Sequence, residues 1–294
     1  MNLFKRIGLL FVLMFFTNEF VRTQSLKGYI KNTKGESIPY ANIVLTHKDI
    51  GTSSDQQGYF ELNIENNRSD TLKFSALGYE TVLIPVNYLV KDLSPTVTMQ
   101  ETIYTLTPIT IIPSKTAKKR YKFGFFDTRK PRGAYAGTIG GQTAVYMKNT
   151  IRQTGIIETI YIRFSESSQQ YRDKVNVRVR IYAKTKDNYP GDDLFMENLI
   201  IEPRKGKNKI DVSKHNLYFP LEGVFVAVEY LDRKNRKHED KRAVDPPLQC
   251  TFAASNEVLT YVSYRNRKWE LEPTNWPHYT GYCNGLIGID VRTE

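Results

Sequence analysis

The chain has 294 residues, enough for two ordinary domains, each able to bury its own core. With 40% hydrophobic and 25% charged residues it lies within the globular range, which excludes a disordered tail or a fibre. The formal charge of +11 favours acidic partners, and 19 Tyr with 15 Phe against 2 Trp and 5 Met lean towards pleated, half-buried surfaces.

Lys5 and Arg6 precede an uncharged apolar run, Ile7 to Phe16, and a polar stretch to Gln24 follows. That order is expected of a secretory signal over residues 1–24, cleaved near Thr23 or Gln24. The apolar run is too short for a bilayer span of about 20 residues, and no later stretch is apolar enough to cross as a helix. Export to the periplasm, the outer membrane or the cell surface is the expectation. Acidic polysaccharide or lipid headgroups then suit the charge better than nucleic acid, which an exported protein does not meet.

A first unit is expected over residues 25–100. Strands are predicted at Leu26–Lys31, Ala41–Thr46, Tyr59–Ile64, Thr71–Ala76, Thr81–Val86 and Thr96–Gln100, separated by Gly, Asn and Asp turns. Gly35, Gly58 and Gly78 supply turn conformations, and Ala41, Ile43, Phe60 and Leu62 are the expected inward positions. Four motifs stand in order here: Gly28-Tyr29-Ile30, Gly35 to Ile43, Gly51 to Phe60 and Leu72 to Glu80. By these the unit resembles the carboxypeptidase-regulatory-like family. The resemblance implies a seven-stranded β-sandwich of transthyretin (prealbumin) type, found in exported and outer-membrane proteins of Gram-negative bacteria. It implies no peptidase activity, because the family name records an accessory domain.

A linker is expected over residues 101–122. Its Leu106 to Ile112 is similar to the connector that leads into the plug of TonB-dependent transporters. The remaining length is far too short for a barrel of 22 strands.

The second unit, residues 123–294, reads as a jelly-roll-like β-sandwich of unknown function with roughly eight strands, so the whole chain is expected to be all-β. Val175, Val177, Val179 and Ile181 alternate with Asn176, Arg178, Arg180 and Tyr182, the pattern of a half-buried strand. Val224–Tyr230 is apolar on both faces and suits a central strand. Ile160, Ile162 and Phe164 give a weaker alternation, and Val258–Tyr264 and Leu286–Val291 supply further strands.

Catalytic patterns are missing. None of His47, His215, His238 and His278 stands in H-x-x-E or H-E-x-x-H spacing, so no metal or other cofactor is expected. There is no G-x-S-x-G elbow, and the cluster Gly133, Gly137, Gly140 and Gly141 lacks the Lys-Ser/Thr ending of a phosphate loop. Asp192 and Asp193 follow Pro190-Gly191 and read as turn formers. Two features remain for binding. Trp269, Trp276 and Tyr279 lie close together and offer rings for a sugar or protein partner, or else cap the core. The run Arg233–Arg242 reads as a solvated hairpin tip or an anion-binding surface. Cys250 and Cys283, the only cysteines, either pair as a disulfide or stay as separate buried thiols.

The expectation is a non-enzymatic envelope or surface protein that binds an outer-membrane or surface protein, or a glycan. The alternative is an envelope hydrolase acting on glycan or peptide, with an unidentified carboxylate pair.

Overall fold

A computed structural model describes residues 25–48, 50–64, 67–102, 119–126, 132–135, 137–166, 173–195, 197–231, 244–252, 256–264, 268–272 and 282–293. The expected signal, most of the linker, Trp276, Tyr279, His238, His278 and the run Arg233–Arg242 lie outside the described residues.

The first unit has seven strands: β1 (Ser25–Asn32), β2 (Asn42–Leu45), β3 (Gly51–Ser53), β4 (Tyr59–Asn63), β5 (Thr71–Ser75), β6 (Val82–Pro85) and β7 (Thr96–Met99). One turn of helix, α1 (Val86–Leu89), joins the last two. A three-stranded sheet ordered β4-β1-β7 faces a four-stranded sheet ordered β3-β2-β5-β6, which is the seven-stranded sandwich that the motifs imply. Alternation sets the core: Leu26, Ile30, Phe60, Leu62, Leu72, Phe74 and Val97 point inward, with Ala41 and Ile43 among them as expected. Gly58 is needed where it stands. Its φ is +73°, and a Cβ there would lie 2.5 Å from the Ile30 carbonyl oxygen.

The second unit contains β8 (Arg120–Gly124), β9 (Arg132–Tyr135), β10 (Gly141–Met147), β11 (Gly155–Phe164), β12 (Asp173–Lys174) and β13 (Val177–Lys184). There follow β14 (Pro190–Asp193), β15 (Leu199–Ile201), β16 (Gly206–Asp211), β17 (Leu217–Phe219), β18 (Val224–Tyr230) and β19 (Val244–Asp245). The last are β20 (Leu248–Thr251), β21 (Thr260–Tyr264), β22 (Glu270–Leu271), β23 (Asn284–Gly285) and β24 (Ile287–Thr293). β8 pairs with β24, so the second unit takes Arg120–Lys122 from the expected linker.

A seven-stranded antiparallel sheet, β14-β13-β18-β10-β21-β22 with β15 on β13, packs against an eight-stranded one built around β20-β11-β24-β8. The strand count exceeds the expected eight because pieces of two to four residues, such as β22 and β23, carry no legible alternation. Inner faces meet in one core: Val145, Met147, Val177, Val179, Ile181, Val226 and Val228 from one sheet, Ile157, Ile160, Ile162, Phe164, Ile287, Ile289 and Val291 from the other. β18 is central, paired with β10 on one side and β13 on the other, and every residue in it is buried.

The half-buried reading of β13 needs correction. Its valine face does enter the core, but Arg178 and Tyr182 on the other face are only 2% and 6% exposed. Something covers the outside of this sheet.

Candidate functional site

Register pairing lays out the outer face of the seven-stranded sheet as three rows. The first runs Arg178, Glu229, Gln142 and Ser263, the second Arg180, Ala227, Ala144 and Tyr261, and the third Tyr182, Phe225 and Tyr146. Polar side chains thus occupy one end, two alanines make a low floor in the middle, and rings fill the other end.

The low floor admits rings from outside the grid. Trp269, just before β22, packs on Ala144, Tyr182, Phe225 and Ala227 with Tyr146 and Tyr261. Its ring stands edge-on to Tyr182 at 5.5 Å between centroids. Tyr261 meets Phe225 at 5.2 Å and Tyr189 at 5.5 Å, and Tyr146 meets Phe225 at 5.0 Å. Phe225 is fully buried, whereas Tyr146, Tyr189, Tyr261 and Trp269 keep part of their surface in water. Cations flank the rings: the Arg180 guanidinium lies 5.4 Å from the centre of Tyr182, and Lys184 Nζ lies 5.7 Å from that of Tyr146. Of the three aromatic residues picked out in the sequence, Trp269 is thus placed on this face, neither free nor capping the main core. Tyr146, Tyr182, Tyr189 and Tyr261 were missed, although the alternation in β13 marks the outward direction of Tyr182; Tyr189 lies before β14 and Tyr261 on β21.

The Arg178–Glu229 end of the polar row is covered by the first unit. Arg178 donates from Nε to Glu229 Oε2 (2.8 Å) and from Nη1 to the Tyr40 carbonyl (3.0 Å) and Asn198 Oδ1 (2.9 Å). Asn42 Nδ2 donates to the other Glu229 oxygen at 3.3 Å. Arg180 bridges two carboxylates, Asp193 Oδ2 at 2.7 Å and Glu229 Oε2 at 3.2 Å. Tyr182 Oη donates to Gln142 Oε1 at 2.7 Å.

Burial alone would raise the Glu229 acid, but Arg178 and Arg180 outweigh it and hold it down at about 2. Asp193 moves the other way, because burial outweighs Arg180. Burial works against the Arg180 charge, yet Tyr182, Glu229 and Asp193 hold its proton more firmly than usual. Asp193 does form a turn, its Oδ1 accepting from the Phe195 N–H at 2.9 Å, but it also ends β14 in a buried ion pair, while Asp192 beside it is exposed.

The two cysteines lie elsewhere, in the core beside β20 and β23, and both are buried free thiols. Cys250 pairs in register with Gly285, so Cys283 falls one diagonal position away on the same face. The neighbouring Cys283, together with burial, pushes Cys250 far up. Cys283 is lowered by Cys250 and then Tyr135, whose hydroxyl donates to the Cys283 carbonyl at 3.0 Å. Among the described residues, no group of three His, Cys, Asp or Glu is placed to hold a metal ion.

Glu272, after β22, is pushed up to about 6 by burial. Its folded-state acid is weaker than in the unfolded chain, so the stability it contributes is full below about pH 4.5 and is lost as pH rises through 6. Glu272→Gln is expected to leave stability unchanged at pH 4 and to raise it by about 1 kcal/mol at pH 8, after allowance for solvent screening. Urea titrations at the two pH values check this. Its backbone N–H, which bonds the Thr260 carbonyl at 2.9 Å, is untouched by the change.

No helix among the described residues is long and apolar enough to cross a membrane. No curated protein matches the chain. Among solved structures it is similar to the cysteine protease and lectin-like domains of Cwp84, a surface layer associated protein of Clostridium difficile. That likeness has 10% identity and a TM-score of 0.37, covering 83% of this chain and 46% of that one. The chain thus spans under half the length of that structure, and so loose a likeness bears on neither ligand nor mechanism. The family comparison is specific. Residues 26–110 match the model of the CarboxypepD_reg-like domain, and the first sandwich, with its Gly58 turn and its inward Ala41, Ile43, Phe60 and Leu62, is that domain.

Proposed function

We propose that the protein is an exported, non-enzymatic envelope or surface protein whose second sandwich presents the outer face of its seven-stranded sheet to a glycan. The observation that carries this reading is the half-exposed ring set Tyr146, Tyr189, Tyr261 and Trp269 around the Ala144–Ala227 floor. Sugar rings have one apolar face, which stacks on aromatic rings, and hydroxyls that seek nearby polar groups. Lys184 Nζ, 5.7 Å from the centre of the Tyr146 ring, supplies a donor to meet them. Export rests on the charge and hydropathy order of residues 1–24.

The hydrolase reading has one observation in its favour, the convergence of Asp193 and Glu229 on Arg180. Both carboxylates are buried and bound to guanidinium groups, which leaves neither placed to protonate a leaving group or activate water. That favours binding over catalysis.

A panel of neutral and acidic envelope glycans, titrated against the full chain by calorimetry, tests the proposal. Trp269→Ala and Tyr261→Ala are each expected to weaken binding about tenfold, the worth of one stacked ring. A panel without binding, or binding indifferent to both changes, overturns it.

A further inference from the structure

We infer that the CarboxypepD_reg-like domain acts as a positioning element for the aromatic face of the second sandwich, so that ligand affinity there depends on how the two domains dock. This rests on the glycan-binding reading above and names what sets the geometry of that site.

The contact is built on the first domain's side. Tyr40 is held at φ +56°, in the left-handed region that an aromatic residue rarely adopts, and its carbonyl accepts from Arg178. Its N–H bonds the Ser54 carbonyl at 3.2 Å, and the next N–H, of Ala41, bonds Ser54 Oγ at 2.9 Å. Ser53 Oγ donates to Asn42 Oδ1 at 3.1 Å, which orients the amide so that Nδ2 faces Glu229. Both donor and acceptor of this corner are thus aimed at one buried ion pair of the other domain.

From there a continuous set of contacts leads to the rings. Asn42 holds one oxygen of Glu229, whose other oxygen holds Arg178 and Arg180. Arg180 lies over the Tyr182 ring, and Tyr182 meets the Trp269 ring. Removing the Asn42 donor leaves Glu229 Oε1 short of that partner. Glu229 then swings towards its arginines, and the position of Arg180 over Tyr182 changes with it.

The test uses the full chain in a Trp276→Phe background, where Trp269 is the one remaining tryptophan and its emission reports its packing without any ligand. Asn42→Ala is expected to shift that emission to the red and to weaken glycan binding about fivefold. Asn42→Asp is nearly isosteric and at pH 7 sets a carboxylate against Glu229, with Arg178, Arg180 and, beyond Arg180, Asp193 as the neighbouring charges among the described residues. It is expected to weaken binding further and to recover as the pH falls through 4, where the new carboxyl regains a donor. A purely structural role would leave the Trp269 emission of the folded chain unchanged. If both variants keep the parent spectrum and affinity while Trp269→Ala loses binding, the positioning role is overturned and the binding reading stands. If no glycan binds the parent but the spectrum shifts as expected, the binding reading fails and the docking link holds.

Discussion

Arg178→Ala is expected to be among the most damaging substitutions in the chain, costing about 3–5 kcal/mol in urea unfolding. The side chain is 2% exposed and paired with an equally buried Glu229, and it supplies donors to Tyr40 and Asn198 besides. Its loss leaves Glu229 with Arg180 and Asn42 in a site that excludes water, together with an unpaired carbonyl at Tyr40. The penalty is therefore that of an exposed deficit in a dry place, and not the net worth of the pair. Arg178→Met with Glu229→Gln separates the two: removing both charges is expected to recover at least half of the loss. The parent's acid unfolding gives an independent reading. Glu229 is held at about 2 against an ordinary 4.5, so its contribution is full above pH 4.5 and is lost as pH falls towards 2. That contribution is about 3 kcal/mol, and a stability profile flat between pH 5 and 2 would contradict the assignment.

The same row shows what was and was not legible before the fold was known. The first sandwich could be read because its signals are local: Gly58 serves a turn whose partners are close in sequence, and Phe60 and Leu62 alternate within five residues. The core valines of β13 and the doubly apolar β18 were readable for the same reason. Arg178 and Arg180 were not, because alternation distinguishes inward from outward but does not say whether the outside is water. Here it is Tyr40 and Asn42, 138 and 187 residues away from the groups they bond. Asp193 was read only in part, for a related reason. Pro190 and Gly191 are turn residues by composition, yet pairing of Tyr182 with Asp193 makes this segment an edge strand that delivers a carboxylate to Arg180. The aromatic face fell between the two cases: Trp269 drew notice by its rarity, whereas Tyr146 and Tyr261 are ordinary members of a chain with 19 tyrosines.

Oxidation of the folded protein is expected to join Cys250 and Cys283 and to stabilise it by about 3–4 kcal/mol. The two thiols are neighbours on one face of β20 and β23, close enough that each shifts the acidity of the other. The chain between them includes β21, β22 and the Trp269 segment, so the bond constrains the unfolded chain over the stretch that carries half of the aromatic face. Cys283 is the readier thiolate, since the neighbouring Cys250 lowers it, and it attacks an external disulfide first, releasing one external thiol. Cys250 then displaces the mixed disulfide, releasing the other external thiol. Both side chains are buried, so the reaction with oxidised glutathione waits on opening of this edge and is slow in the native state and fast during refolding. Mass measurement after alkylation in denaturant counts the thiols, and urea midpoints with and without reductant give the energy. Two alkylated thiols after oxidative refolding would show that the pair stays reduced, and equal midpoints for a confirmed disulfide would mean that strain in the folded state cancels the gain. The Gly285 position bears on the rate. A Cβ there would stand 3.0 Å from Val145 and 3.1 Å from Leu248, so Gly285→Ala crowds β23 against β20 and is expected to slow disulfide formation.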